Sequence, residues 1–244
     1  MRFAVISDIH SNLEALTAVL HQISRLETDL VFCLGDIVGY GPNPIECLEI
    51  IKREGIACIL GNHDAVAAGL KEPDNFSPIA RQAILWTRKQ LEKSHMDFLA
   101  RLPREMLVQD MFMFHGSVHD IDRYILDAED VKENLGLLSS IQGRPHIGFF
   151  GHTHAQITFS LHKGVIEAEH RDRILIWDEK KYLVNPGSVG QPRDGDHRAS
   201  FCIYDSAEKS VIFHRVNYDI SLCQEKIIKY GLPPRLAERL SEGW

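Results

Sequence analysis

Five short apolar runs in this chain each end directly in a cluster of Asp, Asn, His and Gly. Arg2–Ser7 runs into Asp8-Ile9-His10, Leu30–Leu34 into Gly35-Asp36, and Ile56–Leu60 into Gly61-Asn62-His63-Asp64. Met111–Phe114 runs into His115-Gly116, and His146–Phe150 into Gly151-His152-Thr153-His154. Apolar runs of this length bounded by turn residues read as buried strands. In an open α/β sheet, ligands bind beyond the carboxyl ends of the strands. The pattern therefore predicts a fold that delivers five polar strand ends to one rim. Gly35, Gly61 and Gly151 each stand just before a polar candidate, where a residue without Cβ permits a sharp turn and close backbone approach.

Between these strands the spacing is helical. Apolar residues at 13, 16, 19, 20 and 23 predict a helix over Asn12–Ser24, and further helices are expected at Ile45–Arg53, Ile79–Leu91, Asp97–Leu102 and Ala128–Ser140. Met106–Val108 and Met111–Phe114 read as a strand pair around Gln109-Asp110. Beyond residue 155 the chain becomes β-rich. Ile157–Leu161, Gly164–Ala168, Ile174–Trp177, Tyr182–Val184, Ser200–Tyr204 and Val211–Val216 read as antiparallel strands, followed by a helical tail over about 219–244. The expected architecture is one α/β domain over residues 1–244, with two sheets packed face to face and helices outside. In this reading the first sheet comes from the αβ units and the second from the hairpins.

Composition narrows the function classes. With 44% hydrophobic and 25% charged residues, the 244-residue chain is an ordinary globule, large enough to fold without staples. Its net charge of −7 argues against holding duplex nucleic acid by a general field. No apolar run approaches a membrane span, and the acid at Asp8 comes too early for a signal peptide. Five widely spaced cysteines without a CxxC pair suggest a reducing, cytoplasmic setting.

The clusters supply carboxylate, imidazole and amide oxygen. That set suits Mn, Fe or Zn, and suits Mg or Ca less because of its many histidines. Seven such side chains exceed what one metal needs, whereas two metals sharing a bridging carboxylate would use them all. The charge of two divalent cations exceeds that of Asp8 and Asp36, so the site attracts phosphate oxygens and acidifies a bridging water. Each piece alone has a plainer reading. Asp8 or Asp36 is as readily a helix N-cap, Asn62 and Asp64 can cap a helix, and His115 alone reads as a buried histidine. His152 and His154, at i and i+2 on extended chain, point to one side.

Asp8-x-His10, Gly35-Asp36, Gly61-Asn62-His63-Asp64, His115 and Gly151-His152-x-His154, in this order, resemble the calcineurin-like metallophosphoesterase superfamily. Asn185-Pro186-Gly187-Ser188 extends the likeness to its small bacterial and archaeal phosphodiesterases. The resemblance implies a four-layer α/β/β/α sandwich with two mixed sheets. It further implies that Asp8, His10, Asp36 and His154 hold one metal, and that Asp36, Asn62, His115 and His152 hold the other, with Asp36 bridging. His63 would stand beside the substrate, donating to the leaving group or a phosphoryl oxygen. Manganese is the first candidate metal, with Fe, Zn, Ni or Mg as alternatives.

One departure bears on substrate. The protein-phosphatase branch continues its second motif as Asp-Arg-Gly, but here Asp36 is followed by Ile37-Val38-Gly39-Tyr40-Gly41-Pro42. The missing arginine argues against protein dephosphorylation. Tyr40 and Asn43 suggest a loop that stacks or hydrogen-bonds a base or sugar, while the same residues read equally as a helix-entry turn. Arg193 is a candidate replacement clamp, or else a surface residue paired with Asp194 or Asp196, and His119 reads as solvated. The expected activity is a phosphodiesterase using a metal-bridging hydroxide on a small, possibly nucleotide-like ester. The alternatives are a dinucleoside polyphosphate hydrolase and a non-catalytic scaffold, the latter disfavoured because no ligand is missing. A homodimer stays open, since no stripe marks an interface.

Overall fold

A computed structural model describes residues 1–244. The first half holds β1 (Arg2–Ile6), α1 (Leu13–Ile23), β2 (Leu30–Cys33), α2 (Pro44–Arg53), β3 (Ala57–Cys58), α3 (Asn62–Ala67), α4 (Pro78–Gln90) and α5 (Lys93–Ala100). Then come β4 (Glu105–Val108), β5 (Met111–Phe114), α6 (Ala128–Leu138) and β6 (Ile147–Phe149). The remainder is β7 (Gln156–His162), β8 (Val165–Glu169), β9 (Arg173–Leu175), β10 (Lys181–Pro186), β11 (Ala199–Asp205), β12 (Ser210–Val216), α7 (Ile220–Lys229) and α8 (Pro234–Glu242).

The strands form two six-stranded mixed sheets, ordered β3-β2-β1-β11-β12-β9 and β4-β5-β6-β10-β7-β8. This corrects the expectation that αβ units build one sheet and hairpins the other. The first sheet joins the parallel set β1–β2–β3 to antiparallel β11, β12 and β9 from later in the chain, and the second joins the parallel set β5–β6–β10 to antiparallel β4 at one edge and β7 and β8 at the other. The physical reason lies in β1 and β6. Both are buried on both faces and need a hydrogen-bonding neighbour on each edge, which β11 and β10 supply.

Strand alternation builds the layers. Phe3 and Val5 of β1 enter the core between the sheets, while Ala4 and Ile6 face the α1–α2 side. Met111 and Met113 of β5 join that same central core, while Phe112 and Phe114 pack toward Val131, Leu135 and Leu138 of α6. The outcome is the expected α/β/β/α sandwich. No helix is long and apolar enough to cross a membrane.

Element ends show which local signals acted. Asn12 caps α1 by accepting from the Ala15 amide at 3.1 Å, and its side-chain amide donates to Gly190 O at 2.9 Å. The third strand is shorter than the apolar run Ile56–Leu60. The Ile59 amide still donates to Cys33 O, but the Leu60 amide turns away to Pro103 O. α3 was not expected as a helix. It begins inside the polar cluster and is wholly buried, so no polar face marks it.

Candidate metal centre

The five clusters do follow strand ends, but the rim belongs to two sheets rather than one. Asp8, Asp36 and the Asn62–His63 pair follow β1, β2 and β3, whereas His115 and His152 follow β5 and β6. The chain turns sharply at these points. Asp8, His10, Asp36, Tyr40, His152 and His154 all have φ between 48° and 64°. Such backbone costs on the order of 1–3 kcal/mol per residue and persists only where surroundings enforce it. A Cβ on Gly61 would lie 2.1 Å from Asp36 Oδ1, and one on Gly151 2.2 Å from Ser7 Oγ. Both glycines thus permit the close approach inferred from sequence.

His152 and His154 correct one step of the reasoning. They do not sit on extended chain, and their side chains do not share a side. Their positive φ values throw the two rings toward different partners. His154 joins Asp8 and His10, while His152 joins Asp36 and His115.

In the first group, His154 Nε2 lies 3.2 Å from Asp8 Oδ1 and 3.0 Å from His10 Nε2. In the second, His115 Nε2 lies 3.1 Å from Asn62 Oδ1 and 3.4 Å from Asp36 Oδ2. Asp36 links the groups, because its Oδ2 is also 3.5 Å from His10 Nε2. Its Oδ1 accepts from the His63 backbone amide at 2.8 Å, whereas buried Oδ2 has no hydrogen-bond partner.

The ring tautomers explain what this arrangement requires. Nδ1 of His10, His154 and His115 donates to Val38 O (3.2 Å), Gln191 O (2.6 Å) and Leu34 O (2.7 Å), respectively. Each neutral ring therefore turns the Nε2 lone pair inward. Two lone pairs then face each other across the His10–His154 contact, and a third faces Asn62 Oδ1 and Asp36 Oδ2. Acceptors converge without donors, so a cation or a proton must lie among them. His152 is reversed: Nε2 lies 3.0 Å from Asp122 O, which leaves Nδ1 for the site.

The electrostatics separate these choices. Burial pushes His152 down to about 3 and lowers His10 and His154, so these rings stay neutral. Burial opposes ionisation of Asp8 and Asp36 too, yet neighbouring imidazoles hold both well below the usual carboxylate range. Burial also works against charge on His115, but the Asp36 carboxylate outweighs it and carries that ring up to about 10. Neutral His10, His152 and His154 around two carboxylates are the donor set of a divalent cation, and a cation bound there would take the place of the proton that Asp36 holds on His115. The residues fit a metal centre, with carbonyl bonds that orient the imidazoles as outer ligands do.

The plainer alternatives resolve individually. Neither Asp8 nor Asp36 caps a helix; Asn12 caps α1. Asn62 turns to His115, while Asp64 accepts from the Gly61 and Val38 amides at 3.2 Å and ties two ligand loops together. The Tyr40 ring is packed 4.6 Å from His10 and 4.5 Å from His63, so no face is free to stack a base; only its hydroxyl points toward Arg193. Asn43 bonds Glu46 and Lys226 at the entry to α2, away from the ligands. His119 is exposed. Arg193 does not pair with Asp194 or Asp196, because Arg215 and Arg198 take those carboxylates.

Arg193 instead lines a cleft of about 340 Å³ over the ligand groups, together with Tyr40, His63 and His152. The same cleft contains residues that sequence reasoning missed: Phe76, Tyr124 and Arg239. Phe76 packs 4.5 Å from His63, and Tyr124 stacks on His152 at 3.9 Å. None of the three directly follows an apolar strand, the signal that marked the other site residues, so only tertiary folding reveals them.

Residues 1–209 match the calcineurin-like phosphoesterase superfamily domain. An uncharacterized protein of Methanocaldococcus jannaschii is 41% identical, with 98% of this chain and 97% of that protein covered. A metallophosphoesterase from Sphaerobacter thermophilus has a solved structure that superposes with a TM-score of 0.85 at 36% identity, covering 100% of this chain and 99% of its own. The symmetrical bis(5′-nucleosyl)-tetraphosphatase of Citrobacter koseri is 34% identical, but over 35% of this chain and 36% of its own length. Fold, ordered motifs and full-length relatives agree: the chain belongs to the calcineurin-like phosphoesterase superfamily.

Proposed function

We propose that this protein is a dinuclear metal phosphodiesterase, with manganese as the first candidate metal. The observation that carries the reading is Asp36. One carboxylate oxygen is held by the His63 amide, and the other lies unpartnered between His10 and His115, placed to join two ligand groups. Asp8, His10, Asp36 and His154 would hold one cation, and Asp36, Asn62, His115 and His152 the other. Bound divalent cations supply positive charge for phosphoryl oxygens and lower the pKa of water.

The other roles fall to the cleft. His63 is pushed down to about 4, chiefly by burial, so it acts as a neutral N–H donor to a phosphoryl or leaving-group oxygen. Arg193 lines the same cleft, with its guanidinium 3.4 Å from the Tyr40 hydroxyl, and would supply the clamp that the missing Asp-Arg-Gly arginine would otherwise give. Its presence weakens the case against monoesters made from the motif alone. The diester preference rests instead on Phe76 and Tyr124, which offer aromatic surface for a second organic substituent. The partial likeness to tetraphosphatases favours a second reading, hydrolysis of a dinucleoside polyphosphate in the same cleft. Five free buried cysteines, with Cys33 opposite Cys58 on neighbouring strands and unbonded, support a reducing cytoplasmic setting.

The test is to load metal-free protein separately with Mn, Fe, Ni, Zn and Mg. Each form is assayed on bis(4-nitrophenyl) phosphate, 4-nitrophenyl phosphate and diadenosine tetraphosphate. The expected result is two metals per chain, higher kcat/KM on the diester than the monoester, and loss of metal and activity together in Asp36→Asn. Full metal loading without hydrolysis of any of the three esters would overturn the reading.

A further inference from the structure

Of the four imidazoles in the two ligand groups, three are oriented from the interior. His10, His115 and His154 donate to the carbonyl oxygens of Val38, Leu34 and Gln191, all buried residues. His152 differs. Its Nε2 donates to the carbonyl oxygen of Asp122 at 3.0 Å, in the loop between β5 and α6 where Arg123 and Tyr124 are exposed. The same loop lays the Tyr124 ring on His152, with centroids 3.9 Å apart and planes inclined by 24°. Residues 122–124 therefore set both the ring face and the ring nitrogen of a ligand from the surface of the molecule.

A carbonyl orients a ring only as firmly as its own loop is held. Toward α6, the Val118 amide donates to Asn134 Oδ1 at 2.9 Å, and Arg123 pairs with Asp130 and Glu133. Toward α3, the Asp122 carboxylate pairs with Lys71. Lys71 lies just past α3: Gly69, at φ 76°, turns the chain, and the Leu70 amide donates back to Ala65 O at 3.0 Å. The first residue of α3 is Asn62, whose Oδ1 is 3.1 Å from His115 Nε2. Asn62 and His152 come from strand ends of different sheets, and Lys71–Asp122 ties their segments together outside the site. The two side chains keep 30% and 28% exposure. Ion pairs that meet solvent add little to overall stability, so the place of this pair, beside the carbonyl that fixes a ligand, points to a local role.

We propose that Lys71 is a positioning residue for the second ligand group: by pairing with Asp122 it holds the Asp122 carbonyl on His152 Nε2, and so keeps Nδ1 of that ring aimed at the site. Its action is confined to the group of Asp36, Asn62, His115 and His152, because His10 and His154 take their carbonyls from Val38 and Gln191. The inference deepens the dinuclear reading and rests on it, since that reading gives this group a cation of its own.

The test measures metal binding rather than turnover. The full chain, freed of metal by chelation, is titrated with Mn²⁺. Calorimetry gives the affinity of each step, and electron paramagnetic resonance separates isolated Mn²⁺ from an exchange-coupled pair. Lys71→Met should weaken one step about tenfold and leave the other within about threefold, so that the coupled signal needs correspondingly more Mn²⁺. Asp122→Asn keeps the carbonyl but not the ion pair, and should match Lys71→Met, with the double variant no weaker than either. Lys71→Arg keeps the pair and should restore the wild-type affinity. In a His152→Ala background the ring is gone, and Lys71→Met should then change nothing further. Wild-type affinities in Lys71→Met, equal weakening of both steps, or an effect that persists without His152 would overturn the inference. Fewer than two Mn²⁺ per wild-type chain would sink the dinuclear reading and this inference with it, whereas two bound alike by wild type and Lys71→Met would sink the inference alone.

Discussion

His63 and Asp36 meet through one bond, from the His63 backbone amide to Asp36 Oδ1, and this geometry separates their roles. Truncating the His63 side chain leaves that amide in place. His63→Ala is therefore expected to keep both metals while losing roughly 10²–10³-fold in kcat, the usual cost of removing a hydrogen-bond donor to developing charge. Metal analysis beside turnover checks this; metal loss, or turnover near the wild-type rate, would show the roles misassigned. The ligand residues were legible in sequence because each followed an apolar strand directly. Arg193 was only half legible: its two readings differ by which cation takes Asp194 and Asp196, and although Arg198 stands two residues past Asp196, Arg215 comes from the separate strand β12. Arg239 carried no signal, since within α8 it reads as one more charge on an amphipathic helix.

At the scale of elements, the helices other than α3 and most strands were legible from periodicity, because the faces they bury are set locally. Partner choice was not. The β11–β12 pair looks like an isolated hairpin in sequence, yet β11 also runs antiparallel to β1, with Val5 opposite Cys202. Hydrogen bonds between strands are the same for any neighbour, so the strand pattern names no partner. β12 also carries a pH-sensitive position. His214 stacks on Phe201 at 4.8 Å, and burial, aided by the Arg2 charge, lowers its pKa. A histidine whose folded pKa is depressed contributes stability that is present above the unfolded value, about 6.5, and lost as pH falls through the folded one. His214→Gln should therefore lose less stability than wild type between pH 7.5 and 5.5. Urea midpoints at the two pH values measure this, and an equal loss in both proteins would refute it.

For the molecule as a whole, the ligand groups draw on both sheets and on residues 8 to 154. A metal held there would bind the folded chain in preference to the unfolded one. At a hundredfold excess over its dissociation constant it adds roughly 2.7 kcal/mol, or roughly 5–10 °C in Tm for a chain of this size. Thermal melts with and without chelator should show that shift, and coincident melts would argue that the ligand groups bind no cation. The pairing of β1 with β11 has a further consequence, for synthesis. During synthesis β1 must wait for a neighbour that begins at Ala199, and the Asp8 carbonyl oxygen accepts from Ser188 Oγ and the Gly190 amide just upstream of it. A nascent chain ending near Ala155 would already carry every ligand residue, but lack the strand that covers the inner edge of β1. Such a chain would expose that edge until β11 is made, in a molecule dominated by contacts between distant residues. The centre closes only once Ala199–Asp205 has joined β1, so a product cut short before that strand is expected to lack a closed centre.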